Sequence, residues 1–444
     1  MAGGTWQTQN KVRPGVYINF QSEGGLGLSV GNRGVVTICE PMSWGPVGQV
    51  MTVQAGEDTT PYCGYPITAP QARFLQQIFL GTNRTAGAQT VYLYRPTATS
   101  SAQATAEISP LTATALYPGA RGNDITISIV AVPDSEDQFT VNTIVDGTIV
   151  DSQTVAQCSE LVANDWVTWS GSGAVTANAG TPLTGGLDGT VENTAYTPYL
   201  TAIEPYDFDI MIYDGNDSTT LTAMQSFIER ICSNGQYAQL VASFSTAPDS
   251  QYIINVKSGL VLPDNVTLTP QQACWWVGGA EAGASYNETL TYATHPTAVA
   301  PSPVLTNTEV EEALSSGELV MTADFDTVHI EQDINSLTTY TQALGKIFRK
   351  NRLIRLCNTI ANDIYQQFSA NYLGVVNNNE AGRNLFKSAI VGYMLTLQGQ
   401  EAIQNFSADD VEVLAGTDND SIIVNVAIKS VDSVEKIYMT VTVS

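Results

Sequence analysis

The hydrophobic pattern of this 444-residue chain changes period twice, and that change limits the folds open to it. From Arg33 it reads strand, helix, strand: GVVTICE is a buried strand, ARFLQQIFL a short amphipathic helix and TVYLYRP a second strand. Between residues 116 and 190 the pattern alternates instead. ITISIVAV, QFTVNTIV and DGTIVDSQTV are split by Asp/Gly turns and read as a small sandwich, closed by GGLDG at 185–189. From 195 to 325 the α/β pattern returns. DFDIMIY and AQLVASF are strands, LTAMQSFIERICSNG is a helix ending on Gly235, and TPQQACWWVGGAEAG is a helix with Pro270 near its start. A pattern interrupted in this way predicts an α/β domain with an inserted β-sandwich. The chain is also too long for one ordinary core.

The ends differ from the middle. Residues 1–24 read as a polar arm holding one strand-like stretch, Val16, Tyr17, Ile18, Asn19 and Phe20. Residues 98–115, rich in Ala, Ser and Thr, read as a boundary. In the last third a long helix is expected from about Leu337 to Phe368. Ile347, Ile354, Cys357, Ala361, Ile364 and Phe368 would share one arc, with Arg349, Arg352 and Arg355 on another face. A second helix is expected over Gly382 to Leu397, then the strands SIIVNVAIKSV and KIYMTVTV. The expected class is therefore α+β multidomain: an α/β domain with an inserted β-sandwich, a C-terminal α+β domain and extended terminal arms. Its segments are the arm 1–24, the first α/β part 25–100, the sandwich 101–192, the second α/β part 193–328, and a C-terminal domain 329–444. An unpaired strand at each end is a liability in a monomer and suits addition to a neighbour's sheet.

Charge narrows the partner. The net charge is −25, and residues 122–339 hold 28 acids against two bases, Arg230 and Lys257. Residues 346–387 invert this, with seven bases against Asp363 and Glu380. One basic stretch on an acidic body points to an acidic protein surface and away from nucleic acid. There is no apolar run of 18 residues and no apolar core of a secretory signal at the start. The six scattered cysteines read as free buried thiols.

The parts of an enzyme are missing from the sequence. There is no GxSxG, HExxH or phosphate loop with its lysine, and GLGLSVG at 25–31 precedes a strand where an anion site needs a helix. His295 and His329 read as surface or strand histidines. Asp324 and Asp326 lie close to His329 in sequence, but no nucleophile completes a set. Asp207, Asp209, Asp214 and Asp217 lack the spacing of a calcium loop and read as solvated surface. No catalytic, metal or cofactor residue is assigned.

A colinear set of segments resembles the tail sheath proteins of contractile phages, especially the shorter Gram-positive type shared with R-type bacteriocins. The segments are RPGVYINF (13–20), RGVVTICEPMSWGPVG (33–48), YPGARGNDITI (117–127) and LTGGLDGT (183–190). They continue with IEQDINSLTTYT (330–341), FRKNRLIRLCNTIANDI (348–364), NNEAGRNLFKSAIVGYMLTLQGQEAIQNF (378–406) and VDSVEKIYMTVTV (431–443). The resemblance implies a structural subunit that polymerises helically by strand exchange around an inner tail tube, contacts baseplate and tail terminator proteins, and contracts. It would be assembled in the host bacterial cytoplasm, without cofactor, nucleic acid or membrane insertion. The exchange strands would be Val16, Tyr17, Ile18 and Phe20, and Ile437, Tyr438, Met439, Val441 and Val443. Lys346, Arg349, Lys350, Arg352 and Arg355 are the tube-facing candidates. Two other classes stand beside it: a surface-layer or capsid-like protein, and a diverged hydrolase.

Overall fold

Parallel strands covered on both faces need near-continuous apolar runs, and VVTIC, IMI, QLVA and IINV are such runs. The structure, a computed structural model, describes residues 3–4, 16–17 and 33–442 apart from 134, 136, 264 and 326. It divides into two compact units. The larger comprises Gly31–Asn362 with Val431–Ser444, and the smaller Met1–Val30 with Asp363–Ser430.

In the larger unit the chain first lays down β1 (Val35–Cys39), β2 (Val50–Gln54), α1 (Arg73–Leu80) and β3 (Thr90–Tyr94). It then forms β4 (Thr105–Ile108), β5 (Leu111–Ala115), β6 (Ile125–Ala131), β7 (Phe139–Val145), β8 (Thr148–Val155), β9 (Val167–Gly171) and β10 (Asn178–Pro182). It returns with α2 (Tyr196–Ile203), β11 (Ile210–Ile212), α3 (Ser218–Ser233), β12 (Gln239–Ala242) and β13 (Ile253–Val256). Next come α4 (Pro270–Gly283), α5 (Asn307–Ser315), β14 (Glu318–Leu319) and the hairpin β15 (Met321–Asp324) and β16 (Thr327–Ile330).

Seven of these strands form one sheet in the order β14-β13-β12-β11-β1-β3-β2. All neighbours run parallel except β2, which pairs antiparallel with β3 at the edge. Ile210 of β11 lies opposite Val36 of β1, and Ile212 opposite Ile38. Strands on either side of the sandwich in sequence are thus direct neighbours, so the sandwich is an insertion. One face of the sheet packs Val36, Ile38, Ile210 and Ile212 with Phe74, Ile78 and Trp276 from α1 and α4. The other packs Cys39, Met211 and Leu240 with Tyr199, Met224 and Phe227 from α2 and α3. Helix α4 starts on a Thr269–Gln272 capping box with Pro270 in its first turn. It approaches α1 so closely that a Cβ on Gly279 would lie 2.0 Å from the Ile78 carbonyl oxygen. Only glycine fits there.

The sandwich packs the sheet β8-β7-β6-β10 with the sheet β9-β5-β4 around Leu111, Ile125, Ile127, Val141 and Trp166. Strands β4 and β5 correct the reading of 98–115 as a boundary. Their period is present, with Ala106, Ile108, Leu111, Ala113 and Ala115 buried, but it is carried mostly by alanine and so gives a weak signal. Arg121 fastens the insertion. Its Nε donates to the Gly64 carbonyl (2.9 Å), its two terminal nitrogens reach Asp146 (2.9 and 2.6 Å), and it stacks 4.1 Å over Tyr65.

The long helix expected from Leu337 is shorter at its start. Helix α6 spans Asn351–Asn371, after a 3-10 turn at Lys346–Arg349. Tertiary partners take carbonyls that a longer helix would need. Asn335 N–H donates to the Arg349 carbonyl (3.0 Å) and Asn335 Nδ2 to the Phe348 carbonyl (2.8 Å), and Lys350 takes an extended backbone. The amphipathic arc fails as well. Leu353, Ile354, Arg355, Leu356, Asn358 and Thr359 are all buried, so the start of α6 is covered all round, and Ile347 is 62% exposed.

Residues 363–371 of α6 belong to the smaller unit, with α7 (Glu380–Gly399) and the hairpin β17 (Val411–Ala415) and β18 (Ile422–Val426). Phe368, Tyr372 and Phe386 form an aromatic cluster there, and the Tyr393 hydroxyl donates to Asp363 (2.8 Å). Two short strands, Gly3–Gly4 and Val16–Tyr17, pair in parallel in this unit. The strand expected at KIYMTVTV does not form: residues 431–442 carry no strand.

Candidate functional site

The C-terminal segment is the most exposed apolar stretch described. Ile437, Tyr438, Met439 and Val441 are 82, 91, 80 and 71% exposed, and Val434 is exposed too. Val443 lies outside the described residues, as do Ile18 and Phe20 of the N-terminal stretch. Val16 and Tyr17 are described in backbone only, in their pairing with Gly3 and Gly4. The smaller unit meanwhile holds β17 and β18 as a two-stranded sheet, with Val411 opposite Val426 and Ala415 opposite Ile422. Among the described residues no third strand pairs with it. A two-stranded sheet is marginal alone and leaves backbone groups free along both edges.

The basic candidates divide. Lys346 is exposed in the 3-10 turn, and Arg352 is half-buried. An Arg349 terminal nitrogen donates to the Leu314 carbonyl, and Lys350 pairs with Glu435. Arg355 corrects the tube-facing set, because it is wholly buried. One terminal nitrogen meets Glu281 of α4. The other donates to Asp333 Oδ2 (2.7 Å) and to the Glu288 carbonyl (2.8 Å). Asn351 donates to the second Glu281 oxygen (3.0 Å). Burial and the neighbouring Asp333 charge push the Glu281 carboxyl well up. Burial would raise Asp333 too, but the Arg355 guanidinium overrides it and holds that carboxyl down. The network joins α4, the segment after β16 and the start of α6. It presents no surface to a partner.

A second carboxylate site adjoins it. Glu435 accepts from Thr291 Oγ1 (2.9 Å) and Gln332 Nε2 (2.9 Å) and pairs with Lys350. Burial would raise its pKa, but the hydrogen bonds from Lys350 and Gln332 bring it below the usual value. Sequence reasoning missed this site because the three partners lie 144, 103 and 85 residues away.

The histidines and the aspartate group also take structural places. His295 is buried and not at the surface. Its Nδ1 accepts from the Thr297 and Ala298 N–H groups (3.1 and 2.9 Å), which leaves Nε2 to donate to Gln77 (2.9 Å). Burial lowers its pKa to about 4. His329 is a buried strand residue 2.9 Å from Thr322 Oγ1. Asp326 lies outside the described residues. Three of the four aspartates are more than solvated surface. Asp209 accepts from the Gly34 and Val35 N–H groups, Asp214 from Trp275 Nε1, and Asp217 caps α3 through the Thr220 N–H. Among the described residues no three His, Cys, Asp or Glu side chains are grouped to hold a metal.

Comparison with known proteins covers nearly the whole chain. Residues 33–95 match the tail sheath protein Gp18 domain III N-terminal region, and 99–188 the phage tail sheath protein beta-sandwich domain. Residues 189–336 match the phage tail sheath protein central domain, and 345–444 the phage tail sheath C-terminal domain. Two Bacillus subtilis (strain 168) proteins, YqbK and the phage-like element PBSX protein XkdK, are 35% and 33% identical over the full length of both chains. The crystal structure of a sheath tail protein from Desulfitobacterium hafniense is 42% identical, with a TM-score of 0.86 over 96% of this chain and 99% of that one. The helical sheath of the anti-feeding prophage in its contracted state is 14% identical with a TM-score of 0.60, over 97% and 98% of the two chains, a likeness of fold alone.

Proposed function

Because this chain belongs to the phage tail sheath family, whose members are structural proteins and not enzymes, we propose that it is the sheath subunit of a contractile tail. Copies polymerise helically around an inner tail tube, join the baseplate and tail terminator at its ends, and shorten to drive the tube through a target envelope. The carrier is a virion tail or a released bacteriocin particle, assembled in the host bacterial cytoplasm. Among the described residues no helix is long and apolar enough to cross a membrane.

One observation carries this reading. Among the described residues the apolar segment at 437–441 joins no strand, and no third strand joins the two-stranded hairpin β17–β18. A donor and an acceptor on the same chain make a heterologous contact, which extends into an open helix unless the rotation closes. The N-terminal stretch Val16–Phe20 is the second donor. Lys346, Arg349 and Arg352 remain our candidates to face the tube. The likeness in fold to the helical anti-feeding prophage sheath supports helical polymerisation. Negative-stain microscopy of the purified chain tests it: striated tubes are expected, and closed shells or flat lattices would refute it. Deleting residues 437–444 is expected to leave folded subunits that form no tubes, and normal tubes from that variant would remove exchange through the C-terminal segment.

A further inference from the structure

The exposed C-terminal segment does not leave the body unguided. Two residues before Ile437, the Glu435 side chain is only 13% exposed and receives three donors from three separate segments. Lys350 stands just before α6, Gln332 just after β16, and Thr291 between α4 and the β15–β16 hairpin. These donors are held in place from behind. Thr291 Oγ1 accepts from the Asp333 N–H (3.0 Å) while it donates to Glu435, and Asp333 is clamped by Arg355. The cradle for one carboxylate is therefore continuous with the buried ionic network of the body. Chain position adds a second argument. Residues 363–430 belong to the smaller unit, yet the chain returns to the larger unit at Val431, and this carboxylate stands at that return.

We propose that Glu435 is the anchor that fixes where the C-terminal exchange segment leaves the body, and that Lys350, Gln332 and Thr291 are its positioning residues. This rests on the strand-exchange reading. Its function is geometric. A donated strand finds its acceptor in register only if its root is fixed, and a root free to wander sweeps residues 436–442 through many directions. Three directional hydrogen bonds on one carboxylate, one of them from the charged Lys350, fix both position and direction. The anchor belongs to the single subunit and so exists before assembly.

Lys436, beside the anchor, supplies the probe, because trypsin cleaves after lysine only in backbone free to enter the protease. In the unassembled full-length chain, Lys350→Met leaves the cleavage sequence at 436 unchanged. It is expected to speed cleavage after Lys436 roughly tenfold or more, the size of losing a charge-assisted bond. The melting temperature of the body is expected to stay close to the parent's. Glu435→Gln, which keeps the shape and removes the charge, is expected to act in the same direction. Both variants are expected to give fewer and irregular tubes. Unchanged cleavage in a folded Lys350→Met chain would overturn the anchor, and faster cleavage with fully regular tubes would overturn its positioning role. The 437–444 deletion separates the two readings. If that deletion still forms tubes, C-terminal strand exchange fails, whatever the protease shows.

Discussion

His295 is neutral in the folded chain because its Nδ1 is already an acceptor for two backbone amides, and protonation would set two N–H groups against a third. Burial holds its pKa at about 4, against about 6.5 in an unfolded chain. The folded value is the lower one, so stability is complete above pH ~6.5, falls as the pH drops toward 4, and levels off below, a loss of about 3 kcal/mol. Urea unfolding at pH 7 and pH 4.5 is expected to show a clearly smaller acid loss in His295→Gln than in the parent. An equal loss would mean that other groups carry the acid limb. Arg355 obeys the opposite logic. Its charge offsets the buried Asp333 carboxylate and its other terminal nitrogen holds the Glu281 carboxyl, so Arg355→Met leaves Asp333 without its counter-ion and a Glu281 oxygen without its partner, and is expected to cost about 3–5 kcal/mol, read as a shift of the denaturation midpoint. Half of that network was legible. Glu281 is a lone acid in the apolar run ACWWVGGAEAG, and such a residue needs a buried partner. Nothing near Arg355 named it as that partner, since regular spacing placed it on a polar arginine face.

At the scale of elements, local pattern was enough wherever a strand or helix is decided by its own side chains. β1, β3, β6, β7, β8, β12 and α4 all fall inside stretches that the apolar period marks. It failed where partners distant in sequence decide. The expected start of the long helix is lost because Asn335 takes the Phe348 and Arg349 carbonyls, while Thr338 and Thr339 bond to Asp249, which lies 89 residues from Thr338. β4 and β5 are strands because β9 and the sandwich core receive their small side chains, not because Ala and Thr announce them. The apolar segment at 437–441 has the composition of a strand and, among the described residues, joins no ladder. That mismatch between local preference and observed structure is the mark of an element completed by another molecule. Of the N-terminal stretch, Val16 and Tyr17 pair with Gly3 and Gly4, and the stretch is proposed as the second donor. Deleting residues 1–22 is expected to leave a folded subunit, since the larger unit described here begins its first strand at Val35, but one unable to form sheaths. Circular dichroism with negative-stain microscopy checks both halves, and normal tubes from the truncated chain would remove the N-terminal arm from assembly.

For the whole molecule, the question is where the free energy of shortening comes from. Conformation is the source that a structural family without a catalytic set leaves available. The extended sheath is then a kinetically trapped lattice that relaxes to a contracted one with better subunit contacts. A gain of only ~1–2 kcal/mol per subunit, the size of a few improved contacts, becomes large over the many copies in a tube. The fold suits that arrangement. The larger unit is bound together by a seven-stranded sheet, by Arg121 at the sandwich and by the Arg355 network, so deforming its interior would break buried ion pairs at several kcal/mol each. Moving whole subunits on strand-paired arms breaks none of them. Structures of the extended and contracted sheath are therefore expected to show each compact unit superposing closely on itself, with the differences confined to the terminal segments and the contacts between subunits. Contraction triggered in purified sheaths should proceed without nucleotide. A requirement for ATP, or a larger unit refolded in the contracted state, would end this account.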